Sequence, residues 1–81
     1  MTDHNRQYRV ALDNQGLKSE GHTLFEACLS AKSYGNGANV LTPEGRLVAF
    51  FCGHRNVIAP GFGAHSWERE QVLVDFGAQP L

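Results

Sequence analysis

No apolar run in this sequence is long enough to cross a bilayer. The longest, Leu47-Val48-Ala49-Phe50-Phe51-Cys52, has six residues, where a spanning helix needs about 20. Neither sign of charge dominates: seven Lys and Arg stand against eight Asp and Glu, for a net charge of −1. Such a balance provides no field to concentrate nucleic acid or an anionic membrane surface. Two cysteines, Cys28 and Cys52, are too few for a disulfide scaffold. Paired CxxC and HxxxH spacings are absent, as are the Gly-Lys-Ser/Thr of a Walker loop and the third glycine of a dinucleotide loop. Met1 to Arg6 are polar and lack the apolar core of a secretory signal. With Met1 as the native start, the expected location is the cytoplasm, where thiols stay reduced.

What is present fits one small domain spanning 1–81. A chain of 81 residues buries roughly 60–65% of the surface that it exposes when unfolded. One helix on one sheet is the largest core it fills. The polar residues 1–6 are expected to fray.

Tyr8, Val10 and Leu12 alternate with Arg9, Ala11 and Asp13, the period of a half-buried strand. Asp13-Asn14-Gln15-Gly16 is a turn, and Leu17–Gly21 returns as a more polar edge strand. Thr23-x-x-Glu26 is a capping box, and Gly35 stands where a left-handed C-cap would lie. Leu24, Phe25, Cys28, Leu29 and Ala31 recur at helical spacing, which predicts a buried stripe on a helix over 23–34. Ala38–Leu41 and Leu47–Cys52 are apolar runs joined by Thr42-Pro43-Glu44-Gly45-Arg46, a hairpin whose proline and glycine suit a tight turn. The second run is apolar on both faces, which places it inside the sheet. Residues 53–66 read as a long Gly-rich loop with a short sheet extension at Val57-Ile58, and 70–76 as a last strand. Residues 77–81 form a tail. The expected fold is α+β: one helix on an antiparallel sheet of four to five strands, in the order ββαββ(β).

Candidate sites cluster late in the chain. Cys52, His54, Cys28 and His65 hold the donor types of a Cys2His2 zinc site, but Cys28 already fits the helix stripe. Buried thiols and surface imidazoles are the simpler account. Cys52 with His54 or His65 also offers a thiol and a base, yet nothing in the sequence activates the thiol. Glu68 and Glu70 flank Arg69 and read as a solvated edge rather than an acid–base pair. Gly61-Phe62-Gly63-Ala64-His65-Ser66 reads as a loop that needs glycine flexibility. Arg55, Asn56, Phe62, His65 and Trp67 together offer contact chemistry, since Trp and Arg favour binding hot spots and loops on rigid scaffolds collect binding residues.

The expected function is therefore a small non-catalytic module that binds a protein partner. A sheet edge offers a route to a homodimer. No cofactor and no membrane partner are implied. A nucleic-acid-binding regulator using Arg6, Arg9, Arg46 and Arg55 is disfavoured by the charge balance. A small metal- or thiol-dependent enzyme using Cys52, His54 and His65 is the third reading. The layout of hairpin, helix and second hairpin with its Pro43-Glu44-Gly45 turn resembles that of small phage-encoded inhibitors, among them anti-CRISPR proteins. By layout and size alone, that resemblance implies an inhibitor that blocks a host defence complex.

Overall fold

A computed structural model describes residues 6–77. Apart from Arg6 and Gly77, the expected frayed start and tail lie outside the described residues. The chain runs β1 (Tyr8–Leu12), β2 (Gly16–His22), α1 (Leu24–Tyr34), β3 (Ala38–Leu41), β4 (Leu47–Cys52), β5 (Val57–Pro60) and α2 (Ser66–Phe76). The strands form one five-stranded sheet in the order β2-β1-β3-β4-β5, antiparallel at every pairing. The α+β architecture is as expected, with β2 at an edge and β4 inside the sheet. Because β2 and β3 both oppose β1, they run parallel to one another, and joining them requires the crossover that α1 supplies.

Helix α1 begins where its sequence says it should. The Thr23 hydroxyl accepts from the Glu26 amide at 3.2 Å, and the Glu26 carboxylate accepts from the Thr23 amide at 3.1 Å. That reciprocal cap satisfies two donors that a helix start otherwise leaves open. The Thr23 amide, helped by Arg6, holds the Glu26 carboxyl below the usual carboxylate range. The stripe that packs on the sheet is Leu24, Ala27, Cys28 and Ala31. Phe25 and Leu29, expected in it, are 51% and 52% exposed. The buried arc is centred on the small Ala27 and Ala31, which let the helix approach the sheet closely.

Register aligns Val10 with Val40 and Val40 with Ala49, so these side chains share one face of the sheet. They join Tyr8, Ala38 and Ile58 beneath the two helices in a single core. The opposite face carries Ala11, Asn39, Phe50 and Ala59 in a row, and no described element covers it.

The last element corrects the sequence reading. Residues 66–76 are the helix α2, where a strand was expected over 70–76. The alternation of Val72, Val74 and Phe76 coexists with an i, i+4, i+8 row of Glu68, Val72 and Phe76, and this row is the one that meets the core. Glu68 and Val72 are buried, while Phe76 is partly buried with its ring 5.3 Å from that of Phe25. The 53–66 segment is likewise no single loop. The strand β5 divides it into a turn at 53–56 and a connection at 61–65.

Glu68, expected on a solvated edge, is fully buried. It accepts from the Tyr8 hydroxyl at 2.5 Å, from Arg46 at 2.8 and 3.2 Å, and from the His65 amide at 2.8 Å. Burial pushes its carboxyl up, but the bonds from Arg46, Tyr8 and His65 outweigh that and leave it below the usual range. Burial, together with the negative charge of Glu68, drives the Tyr8 phenol well above its ordinary value.

Replacing Glu68 with Ala removes one partner of a buried pair and is expected to cost about 3 kcal/mol in urea unfolding, near the low end for such pairs because Arg46 reaches water. Because the carboxyl is more acidic in the folded state, its stabilisation is fully present above about pH 5 and is lost as pH falls through the folded value. Glu68→Gln should flatten that acid limb. An acid limb identical to wild type would show that Glu68 does not supply it.

Candidate functional site

The connection between β5 and α2 is built against the start of β4. The Gly61 amide donates to the Val48 carbonyl at 2.7 Å, and the Gly63 amide to the Leu47 carbonyl at 2.9 Å. Arg46 donates to the Gly63 carbonyl at 2.7 Å. The glycines are needed for contact rather than for unusual torsions. A Cβ on Gly61 would stand 2.5 Å from the Leu47 carbonyl oxygen, and one on Gly63 would stand 2.9 Å from the Leu47 nitrogen. Two bare backbones thus lie flat on β4, and the residue between them is turned out. Phe62 is 91% exposed.

Helix α2 continues this surface. Only the Glu68–Val72–Phe76 row faces inward, which leaves Trp67 at 50% and Val74 at 70% exposure. One turn of helix separates successive members of the outward row, so Trp67, Gln71 and Val74 share a flank. Trp67, Glu70, Gln71 and Val74 line a shallow depression of about 300 Å³. On the other flank, the half-exposed Leu73 borders a second groove of about 220 Å³ with Cys52, Arg55 and Val57.

The sequence-derived candidates divide accordingly. Phe62, His65 and Trp67 lie together on the 61–65 connection and the first turn of α2. His65 is the exposed N-cap residue, and its amide is held by Glu68. Arg55 and Asn56 lie in the turn at the other end of β5, so the strand separates them from Phe62 by roughly 10 Å or more. Asn56 takes a left-handed conformation there, with φ 58°. Val74 and Leu73 were missed because they were assigned to a strand. The signal that finds them is their helical spacing from Trp67.

The four candidate metal ligands are not brought together. Cys28 is buried under α1 on the helix-covered face. Cys52 stands half-buried at the end of β4, where it lines the groove beside Leu73. His54 is exposed in the 53–56 turn, and His65 lies beyond the far end of β5. Among the described residues, no group of three or more His, Cys, Asp or Glu could hold a metal ion. Burial, with a smaller push from Asp75, drives the Cys28 thiol up to about 12. It is a packing residue, inert as a nucleophile. Among the described residues, no helix is long and apolar enough to cross a membrane.

Gly61→Ala should cost about 1–3 kcal/mol, since the added methyl meets backbone that cannot yield. Phe62→Ala should stay within about 0.5 kcal/mol of wild type, as exposed positions do. Equal losses from the two substitutions would mean that Phe62 packs in solution. In the native state, iodoacetamide should modify Cys52 well before Cys28, as read by peptide mass mapping. The reverse order would contradict the burial of Cys28. No protein-family profile, no curated protein and no solved structure matches this chain.

Proposed function

We propose that this protein is a small binding module that docks a protein partner through Phe62, Trp67 and Val74. The observation that carries the reading is Phe62. It is held 91% exposed on a connection fastened to β4 by backbone hydrogen bonds. Displaying a phenyl ring in water forgoes about 1.5–3 kcal/mol of burial, and a connection pinned this firmly has no freedom to fold the ring away. Such a rigid, exposed aromatic is already organised for contact, which reduces the ordering cost of association. Trp67 and Val74 extend the apolar area across α2.

Both sheet edges are poor places for another chain to pair. The β2 edge carries Lys18 and Glu20 and two register irregularities, and β5 has only four residues and ends in Pro60. These features discourage strand addition, so we place docking on the helix side of the molecule rather than at an edge homodimer. Blocking a larger assembly, as the layout-level resemblance to phage-encoded inhibitors implies, is the finer form of this proposal. It suits a chain that offers a firm surface.

The test is affinity capture with tagged full-length chain from its native host, followed by quantitative mass spectrometry. A partner held by wild type should be lost at least tenfold on Phe62→Ser or Trp67→Ser. It should be retained on Leu17→Ser, a half-exposed residue of β2 paired with Ala11. Retention by the first two variants and loss by the third would move the interface to the uncovered sheet face and overturn this assignment.

A further inference from the structure

The β2–α1 corner brings a hydroxyl, an imidazole and a carboxylate together. Strand β2 is irregular there. Tyr8 pairs with His22 and Val10 with Ser19, so two steps along β1 match three along β2. The extra residue is accommodated with Gly21 at φ 75°, the left-handed conformation that glycine adopts freely. Residues three apart on a regular strand face opposite sides. This bulge restores the parity, so Ser19 and His22 both lie on the helix-covered face, opposite Val10 and Tyr8.

His22 Nε2 lies 2.8 Å from Ser19 Oγ. Its other nitrogen, Nδ1, lies 3.7 Å from Glu26 Oε1. Glu26 is itself fixed by the Thr23 amide at 3.1 Å and by Arg6 at 2.9 and 3.3 Å. The ring is three-quarters covered, and Ser19 is half-buried. Beside the cluster, His22, Glu26, Leu29, Ser30 and Ser33 line an open cavity of about 530 Å³. Nucleophile and base stand within hydrogen-bond reach, and the carboxylate stands within ion-pair reach of the base's other nitrogen once the ring takes up a proton; this is the arrangement that activates a hydroxyl.

We propose that Ser19, His22 and Glu26 form an acyl-transfer site that cleaves small, activated carboxylic esters. With its proton on Nδ1, facing the carboxylate, the imidazole accepts the Ser19 hydroxyl bond at Nε2. Ser19 Oγ attacks the ester carbonyl carbon as its proton passes to Nε2. The tetrahedral adduct collapses, the carbon–oxygen bond to the leaving group breaks, and the leaving oxygen takes the proton from Nε2. Water repeats the sequence on the acyl-serine, releasing the acid and restoring Ser19. Arg6 shares the charge of Glu26, which weakens the carboxylate's support of an imidazolium. The open cavity holds no deep pocket for a long chain. Both features restrict the site to esters with good leaving groups and short acyl chains. The site is independent of the Phe62 surface.

The probe is an alkyl fluorophosphonate, in which serine oxygen displaces fluoride from phosphorus. Full-length wild-type chain should become phosphonylated at Ser19, as read by peptide mass mapping. The label should disappear in Ser19→Ala. His22→Gln, which keeps a polar side chain but no base, should slow labelling about a hundredfold, and imidazole added to His22→Ala should restore part of the rate. Thermal unfolding of each variant verifies that it is folded. Folded wild type with no label on Ser19, labelling that falls instead on Ser30 or Ser33, or an undiminished rate in folded His22→Gln would each overturn the proposal.

Discussion

The Glu68 carboxylate is the point on which the second half of the molecule hangs. One side chain joins three separate pieces of backbone: β1 through Tyr8, the β3–β4 turn through Arg46, and the start of α2 through the His65 amide. A buried carboxylate without partners would be expelled or protonated, because desolvation of the charge is costly. Here each oxygen has two donors. Helix α2 shows the core only a narrow row of side chains, and Val72 is its one fully buried apolar residue. Apolar burial alone would hold it weakly. The charged bond supplies the anchoring that area does not.

Arg46 links this anchor to the displayed surface. The same guanidinium that pairs with Glu68 donates to the Gly63 carbonyl. The connection carrying Phe62 is therefore braced from the turn as well as from β4. The pairing also raises the Arg46 guanidinium above its already high ordinary value, which keeps the brace charged.

How much of this was legible in the sequence differs sharply between the two halves. The first half is written in strong local signals. Thr23 and Glu26 cap each other as their spacing implies, Gly35 closes α1 at φ 86°, and the 42–46 turn closes with Gly45 at φ 90°. Helix α2 has no such clarity. Its alternating Val72, Val74 and Phe76 satisfy a strand period, and its burial depends on a glutamate that any hydropathy pattern counts as surface. What makes Glu68 a core residue is Arg46, 22 residues away, and Tyr8, 60 residues away. Periodicity carries no information about such long-range pairings. Phe62 could be singled out for a local reason, its place between two glycines. Its separation from Arg55 was not legible, because it depends on β5.

The arrangement around Phe62 also divides what can vary from what cannot. Gly61 and Gly63 are locked by their contact with Leu47, and Arg46 by its bonds to Glu68 and Gly63. The side chain between the glycines touches almost nothing. A single codon can therefore exchange the displayed group for another without disturbing the core. Under the proposed docking role, this position can follow a change in the partner's surface in one mutational step, while its neighbours keep the display rigid. Descendants of this chain would then be expected to differ most at this displayed position, and least at the glycines on either side.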